Sequence, residues 1–539
     1  MGTLFYLLLI VAPVIHSLKL HELMTADEVM GIFHTTHDSV PKYEIVSMLY
    51  SIHAIHENGT RKMYMNTFNH DIELTLNPTE GYLASEDTPL WTVKSGVKHA
   101  PEDLQYTLIP NALKDIGTPM QDEKAEAAVV VTSENSRFAT FDGFLPFNLI
   151  IRSLPQRVIR LLYGKGGLFE SHFNKEGTMK NFTYTYHHVI YEQIPKENYE
   201  SFNITNPMSS MYPIPEIVYP EILVVIDYSL YLTLGHNINQ AKRYIVAFWN
   251  GVDLRYRVLT KPKIRLNIAG IIIAMDTGAV PYIEDSRLQG NLVDADHALH
   301  GMATYFYEEK RFPWKIYDMA MTTTRLNLCN KMDEHLCDPS TLGYAYVKGA
   351  CDRNATTKMS EAVGIAEDDG GFSGIIPVAH ELGHLLGAHH DGTAEDSKTC
   401  LPNDGYLMTG SLMLSEHQFK WSNCSINALH RFLSGDEAKC LYDAPPKAIA
   451  IRRLMPGKLM SLDDQCRKVY GGPACKRDKS EVCYRLDCEV PDGNGLCSAI
   501  AAAAEGSPCG PNLICLDGRC VFEGTEIKDE RSYDSTDSI

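Results

Sequence analysis

No cysteine precedes Cys329 in this 539-residue chain, although the whole chain contains fourteen. Six lie between Cys329 and Cys440, and eight lie between Cys466 and Cys520. So dense a group is typical of a disulfide-bonded module in an extracellular protein. A zinc site is disfavoured there, because the segment has no histidine and its cysteines do not repeat a paired C-x2-C spacing. The pattern predicts a small disulfide-rich module at residues 461–522, followed by a polar tail at residues 523–539.

Positive charge is also scarce, with 49 Lys and Arg residues against 68 Asp and Glu residues and a formal net charge of −19. A nucleic-acid-binding protein needs a basic face to meet phosphate, so the charge argues against this class. Beyond the N-terminus, no segment has the roughly 20 consecutive apolar residues of a membrane-spanning helix.

The apolar run at residues 4–15 is too short to span a bilayer and lies at the N-terminus. These features favour a cleaved signal peptide at residues 1–17, although no Lys or Arg precedes the run. A buried helix is the alternative. We therefore expect a secreted, extracellular protein without a transmembrane anchor.

Two Pro-containing segments divide the rest of the chain. Residues 18–215 contain strand-like stretches such as residues 72–76, where apolar and polar residues alternate until Pro78. We interpret this region as a β-rich pro-domain, which ends in a linker rich in Pro, Ser and Met at residues 206–215. From residue 216 to 443, short apolar runs alternate with segments of helical spacing, as in an α/β domain. Ala444-Pro445-Pro446 opens a second linker, at residues 444–460.

A group of histidines at residues 380–391 carries the chemistry. His380 and His384 are four residues apart, which places both imidazoles on one face of a helix. Gly387 can adopt a positive φ, end the helix and let His390 return as a third ligand. Three neutral imidazoles leave the fourth tetrahedral position of a zinc ion open, as in catalytic sites. His389 is one position off this spacing, and we interpret it as a neighbour.

Glu381 follows the first of these ligands, where its carboxylate can reach a water molecule on the zinc. Zinc lowers the pKa of bound water from about 16 towards 7, so that Glu381 can act as general base and pass the proton to the leaving amine. The motif thus predicts hydrolysis of peptide bonds. A structural zinc protein would need a fourth protein ligand, and none lies at motif spacing.

A methionine in a tight turn beneath the zinc is expected downstream of such a motif. Met408 follows the turn-forming pair Asp404-Gly405 and is our prediction for it, with Met413 as the alternative.

The segment from Gly364 to Gly370, the run from Ala379 to His384, and Asp391 after the third histidine resemble the reprolysin (adamalysin) branch of the metzincins. This branch includes snake-venom metalloproteases and the ADAM and ADAMTS proteases. The resemblance covers roughly residues 217–443. It implies an α/β catalytic domain with a five-stranded mixed sheet and helices, and a strand near residues 343–349 that pairs with extended substrate.

The same resemblance implies a structural calcium site away from the zinc. Glu221, Asp318 and Asp443 stand where its side-chain ligands would lie, and oxygen ligands suit calcium. Three unrelated surface carboxylates are the alternative.

The tail is similar to the cysteine-rich module of ADAMTS proteases, through residues 461–466, 506–510 and 516–520. All four tryptophans lie upstream of it, and we find no Trp-rich thrombospondin-type repeat. This short architecture most resembles the secreted tick salivary metalloproteases, which implies fibrinogen, fibrin and matrix proteins as substrates and binding of matrix or host proteins by the module. A secreted binding protein with an inactive protease domain is the alternative function, although the intact Glu381 favours an enzyme.

Two further expectations concern the precursor. Because the predicted pro-domain has no cysteine, latency by a cysteine thiolate on the zinc, as in many relatives, is excluded. The sequence also contains five sequons for N-glycosylation, at Asn58, Asn181, Asn203, Asn354 and Asn423.

Overall fold

The computed structural model describes residues 19–33, 37–51, 60–78, 83–96, 103–122, 127–135, 138–147, 149–163, 182–192, 215–332, 336–411, 413–446, 449–451, 453–475, 481–491, 495–510 and 513–522. The predicted signal peptide, the predicted polar tail and residues 206–214 of the first linker lie outside these ranges. So do three predicted glycosylation sites, Asn58, Asn181 and Asn203. Within the described ranges, none of the helices combines the length and apolar character needed to cross a membrane.

The chain before residue 216 is rich in strands. They are β1 (Tyr43–Ser51), β2 (Arg61–Thr67), β3 (His70–Pro78), β4 (Leu90–Lys94), β5 (Gln105–Ile109), β6 (Thr118–Asp122), β7 (Ala127–Asn135), β8 (Phe138–Leu145), β9 (Leu149–Ser153) and β10 (Phe182–Glu192). Eight of them pair in the order β1-β10-β9-β8-β7-β6-β3-β2 and close on themselves, and we call this unit the N-terminal closed sheet. Helices α1 (Ala26–Phe33) and α2 (Gln156–Tyr163) pack against β9 and β10.

Strand β3 shows why this sheet forms. Ile72, Leu74 and Leu76 are buried, whereas the residues between them are exposed. Because successive side chains of a strand point to opposite faces, one face fills the interior and the other meets water. That this region serves as a pro-domain stays a prediction.

The region from residue 215 to 443 alternates strands and helices. Its strands are β11 (Ile217–Val218), β12 (Glu221–Ile226), β13 (Lys263–Ile264), β14 (Asn267–Ala274), β15 (Leu292–Asp294), β16 (Met319–Thr324), β17 (Asn327–Lys331), β18 (Cys337–Asp338), β19 (Gly343–Ala345) and β20 (Val363–Glu367). Its helices are α3 (Tyr228–Thr233), α4 (Ile238–Arg257), α5 (Pro281–Glu284), α6 (Ala295–Glu308), α7 (Ile375–Leu385) and α8 (Asn423–Leu433).

The main sheet has seven strands, in the order β19-β20-β16-β12-β14-β4-β5, and five of these strands belong to the region for which we predicted a five-stranded sheet. Strands β12, β14, β16 and β20 are parallel, and β19 is antiparallel to β20. The two additional strands come from the N-terminal region: β4 runs parallel to β14, and β5 is antiparallel to β4. The boundary predicted at residue 216 therefore does not coincide with the edge of this sheet.

Both faces of the sheet are covered. In β12, Ile222 and Val224 face a cluster that includes α4 and α7, whereas Leu223 and Val225 face a cluster that includes α6. A parallel strand buried on both faces is apolar throughout, which explains the uninterrupted run in the sequence.

The C-terminal module contains α9 (Pro456–Leu459), α10 (Leu462–Val469), β21 (Leu486–Glu489), β22 (Cys497–Ala501), β23 (Pro508–Gly510), β24 (Leu513–Leu516) and β25 (Arg519–Phe522). The predicted disulfide bonds are confirmed, since all fourteen cysteines are paired. The catalytic region has Cys329–Cys337, Cys351–Cys440 and Cys400–Cys424, and the module has Cys466–Cys488, Cys475–Cys497, Cys483–Cys515 and Cys509–Cys520.

Residues 444–460, which we predicted to be a linker, are partly buried. Ile451 and Leu454 are buried in the same core cluster as α4 and α7. The Asn250 side chain donates to the carbonyl of Leu454 at 3.1 Å. Pro445 and Pro446 indicated a loop, but the apolar residues Ile451 and Leu454 that follow them pack against the catalytic region.

Candidate active site

Helix α7 carries the first two predicted zinc ligands and ends as the sequence suggested. Gly387 has a φ of 101°. Its N–H donates to the carbonyl of His384 at 2.8 Å, and the N–H of Ala388 donates to the carbonyl of Gly383 at 2.9 Å. A Cβ at residue 387 would lie 2.7 Å from the Cβ of Phe432, so glycine is needed for its size as well as for its backbone conformation. The chain turns sharply here and brings His390 back towards α7.

Three imidazole nitrogens converge in this turn. The Nε2 atom of His390 lies 3.0 Å from Nε2 of His380 and 3.1 Å from Nε2 of His384. The three nitrogens come from the sequence-predicted ligands, within one group whose donor atoms all lie within 4.8 Å of one another.

The hydrogen bonds of the other ring nitrogens establish that this donor set fits a cation. Nδ1 of His380 lies 2.7 Å from the carbonyl of Leu407, and Nδ1 of His384 lies 2.7 Å from the carbonyl of Ala388. A carbonyl only accepts, so both Nδ1 atoms carry the proton and both Nε2 atoms present lone pairs. Burial lowers the pKa of His380 to about 4 and that of His384 well below its ordinary value, which keeps both rings neutral. Neutral nitrogen donors of this kind suit zinc.

Glu381 lies beside this group and is only 5% exposed. Burial raises the pKa of its carboxyl to about 8. It faces the edge strand β19, where a Cβ at Gly343 would lie 2.5 Å from the Oε1 atom of Glu381. We did not predict Gly343 as a residue of the site. Its position at the start of the predicted substrate-binding strand is the feature of the sequence that could have indicated this role.

Met408 is fully buried, whereas the alternative, Met413, is 37% exposed. The carbonyl of Met408 accepts from the N–H of Asp391 at 2.9 Å. A Cβ at Gly383 would lie 2.7 Å from the Met408 sulfur, so the methionine packs directly against α7. The preceding residue, Leu407, supplies the carbonyl that orients His380.

The three predicted calcium ligands lie near one another. The N–H of Glu221 donates to Oδ2 of Asp318 at 2.9 Å. Burial and the charge of Asp443 raise the pKa of Glu221 to about 7. Burial, followed by the charges of Glu221 and Asp443, raises the pKa of Asp318 to about 8. Among the described residues, however, this trio is not one of the groups whose donor atoms lie within 4.8 Å of one another.

The second such group, Cys483, Cys509 and Cys520, is no candidate for a metal, because its sulfurs are in disulfides. The two predicted glycosylation sites that the structure describes, Asn354 and Asn423, are both exposed.

Two family models match the chain. "Reprolysin (M12B) family zinc metalloprotease" matches residues 310–445, and "ADAMTS cysteine-rich domain 2" matches residues 456–521. The first match contains the three histidines and Glu381, and the second agrees with the disulfide-rich module predicted at residues 461–522.

Curated relatives extend this similarity over most of the chain. "A disintegrin and metalloproteinase with thrombospondin motifs like" from Bombyx mori is 34% identical over 517 residues, which cover 87% of this chain and 74% of that protein. "Venom metalloproteinase 3" from Eulophus pennicornis is 26% identical over 59% of this chain and 70% of its own length. "A disintegrin and metalloproteinase with thrombospondin motifs 7" from Mus musculus is 36% identical over 39% of this chain, but the match spans only 12% of that protein. The chain therefore belongs to the reprolysin family of zinc metalloproteases with an ADAMTS-type cysteine-rich domain, and it is a metalloendopeptidase.

Proposed function

We propose that the chain is a secreted endopeptidase, released from a precursor with a signal peptide at residues 1–17 and a pro-domain at residues 18–215, that cleaves extracellular proteins with Glu381 as general base. The observation that supports this best is the convergence of three imidazole Nε2 atoms, two of them shown to be unprotonated, beside the buried carboxyl group of Glu381. Glu381 also faces Gly343 of β19, an edge strand suited to an extended peptide. The tick resemblance, with fibrinogen, fibrin and matrix proteins as substrates, belongs to this proposal.

His380, His384 and His390 would hold the zinc ion, which supplies a Lewis acid and lowers the pKa of a bound water. Glu381 accepts a proton at a carboxylate oxygen and returns it to the amine nitrogen of the leaving product. Gly343 leaves the space that Glu381 needs next to the substrate strand. The carbonyls of Leu407 and Ala388 fix the direction of two imidazoles, so that their lone pairs stay aimed at one point.

The substrate is expected to lie along β19. This strand is the first of the main sheet and pairs antiparallel with β20, and within the described part of the chain its other side has no partner strand. An extended segment can add to the other side by main-chain hydrogen bonds, while alternate side chains provide specificity. Tyr344 in this strand and Tyr346 just after it are large, partly exposed side chains that could make such contacts.

The test is cleavage of fibrinogen and gelatin by the purified full chain, with and without a zinc chelator. We expect Glu381→Gln to retain zinc and to lose roughly 10²–10⁴-fold in rate, since general-base catalysis contributes about that much. Glu395→Gln is the matched control, because the side chain of Glu395 is 89% exposed and pairs only with Lys398 in the described structure. A zinc-loaded wild-type chain that cleaves nothing in a broad peptide library would overturn the proposal.

A second function is supported by the C-terminal module. Tyr470, Leu496 and Phe522 are large side chains that are 38%, 63% and 40% exposed, and exposed aromatic and aliphatic residues are common at binding surfaces. We propose that the module binds matrix or host proteins. Replacing all three by serine should weaken binding to fibrinogen and leave cleavage of a short peptide unchanged. Equal losses in both assays would argue against a separate binding role.

We also propose that Glu221, Asp318 and Asp443 bind a calcium ion. Burial, together with the repulsion between neighbouring carboxylates, raises the pKa of Glu221 and Asp318, and a bound cation would relieve this repulsion. Calcium should then raise the melting temperature of the wild type by mass action and leave that of Asp318→Asn unchanged. If both proteins respond equally, the three residues are ordinary carboxylates.

A further inference from the structure

Residues 83–116 leave the N-terminal closed sheet after β3 and return to it at β6, and we call them the inserted segment. The structure describes this segment at residues 83–96 and 103–116. Its strand β4 lies parallel to β14. The N–H groups of Ile268, Ile271 and Met275 donate to carbonyls of the segment, at 2.7, 2.9 and 2.8 Å. Main-chain hydrogen bonds thus join the segment to the catalytic sheet along the length of β14.

The side chains of the segment fill the catalytic core. Leu90, Val93 and Leu113 are fully buried in the two clusters that cover the main sheet. The Trp91 ring lies over Gly270 of β14, where a Cβ would approach one ring atom to 2.6 Å. The ring also meets Phe312 edge-on, with centroids 4.9 Å apart. This packing has the character of a domain interior.

Polar groups of the catalytic region have their partners on the segment. The Lys242 side chain on α4 is only 7% exposed, and its ammonium donates to the carbonyl of Ala112 at 2.7 Å and to Asp115 at 2.5 Å. A buried ammonium that lost both partners would be strongly destabilising. Arg311 donates to the carbonyl of Leu104 at 2.7 Å.

The chain that leads to the C-terminal module covers the segment from another side. The N–H of Glu86 donates to the carbonyl of Ile449 at 3.1 Å, and the N–H of Ile451 donates to that of Ala84 at 3.3 Å. The inserted segment therefore lies between β14 and residues 449–451, and its release requires both contacts to open.

The sheet order places the segment away from the cleft. Strand β19, beside Glu381, is at one edge of the seven-stranded sheet, and β5 is at the other. A protein that keeps the segment bound can therefore leave the substrate edge free.

We propose that the inserted segment is a permanent structural part of the protease, so that a chain cut between residues 193 and 215 keeps its N-terminal fragment as a tightly bound, noncovalent subunit. This inference rests on the proposed function in one respect, because a cut between residues 193 and 215 would be the step that processes the precursor. Its basis is the contact of the segment with both the catalytic sheet and residues 449–451.

The experiment is to insert the recognition sequence of a site-specific protease after Pro207 in the full chain, cut the purified protein completely, and separate it by native size exclusion. We expect both fragments in one peak in equimolar amounts, and separation only in denaturant. Elution of the wild-type fragments in separate peaks without denaturant would overturn the proposal. This readout does not depend on enzymatic activity. If the two fragments co-elute but the protein cleaves no substrate, only the proposed function is contradicted.

Two variants test the contact itself. Gly270→Ala should weaken retention roughly 10- to 100-fold, because the new methyl group meets the Trp91 ring. Trp91→Ala should weaken retention of the N-terminal fragment at least as much. This substitution changes the inserted segment and leaves the sequence of the catalytic region unchanged. Leu108→Ala on β5 is the control, because Leu108 is 53% exposed, and it should not change retention. Unchanged retention in both Gly270→Ala and Trp91→Ala would contradict the assigned contact.

Discussion

Arg255 offers a sharp test of how the catalytic region holds the C-terminal module. Its side chain is completely buried at the end of α4. One guanidinium nitrogen lies 2.6 Å from Glu505 and 2.7 Å from Asp517, both of which belong to the module. The guanidinium also stacks over the ring of Phe419 at 5.0 Å. We expect Arg255→Met to keep the volume of the side chain and remove its charge.

The magnitude follows from burial. Glu505 is only 4% exposed, so without Arg255 a carboxylate would remain in the interface with no positive partner among the residues that the structure describes. Breaking a buried ion pair on one side costs about 3–5 kcal/mol. The double variant Arg255→Met with Glu505→Gln removes both charges and should recover most of this loss. Arg431→Met is the matched control, because Arg431 is 62% exposed in its pair with Asp396 and such a pair contributes less than about 1 kcal/mol.

The assay is unfolding in guanidinium chloride at about pH 8, above the pKa of Glu505, with the disulfides intact, and it is monitored by tryptophan fluorescence. A shift of the midpoint without a change of slope reports stability. The reasoning is refuted if Arg255→Met lowers the free energy of unfolding no more than Arg431→Met does. It is also refuted if Glu505→Gln lowers the free energy of unfolding of Arg255→Met further instead of restoring it.

Three further predictions concern the active site and the module contact. Gly383→Ala should destabilise by about 1–3 kcal/mol, although alanine favours helices, because its methyl group meets the Met408 sulfur; a gain in thermal stability would contradict that packing. Asp391→Ala should cost about 1–3 kcal/mol in chemical unfolding, since the buried hydroxyl of Ser422 donates to Asp391 at 2.7 Å, and a neutral effect would refute this. Burial raises the pKa of Glu505 from 4.5 to about 7, so its contribution to stability is present below pH 4.5 and is lost as the pH rises through 7. The stability of Glu505→Gln, measured across this range, should fall less steeply with pH than that of the wild type, and parallel curves would refute the assignment.

The parts of the fold that the sequence predicted well depend on short-range patterns. The spacing of His380 and His384 defines a helix face, and Gly387 marks the turn, so the local geometry follows from one turn of helix. The density of cysteine after Cys466 likewise predicted the disulfide-rich module. Calcium binding, glycosylation at Asn354, the general-base role of Glu381 and the domain boundaries stay predictions.

The parts that were missed depend on pairing between distant segments. Strand β4 has five residues and pairs with β14, which lies more than 170 residues later in the chain. Nothing in the local pattern of so short a strand distinguishes a place in the N-terminal closed sheet from a place in the catalytic sheet, so the addition of β4 and β5 to the five strands of the catalytic region was missed. The burial of Ile451 was missed for a similar reason, because the preceding prolines predicted only a loop.

The orientation of a zinc ligand shows how far such distant contacts reach. His380 is held by the carbonyl of Leu407, and the N–H of Leu407 donates to the carbonyl of Lys420 at 2.9 Å. The residue after Lys420 is held in place as well, because the Trp421 indole donates to the carbonyl of Arg255 at 2.7 Å. On the other side, Phe419 packs so closely under Gly518 of the module that a Cβ there would lie 2.5 Å from its ring. The twelve residues of the motif therefore supply the ligands, whereas segments before and after them in the chain, including the module, determine the direction in which one ligand points.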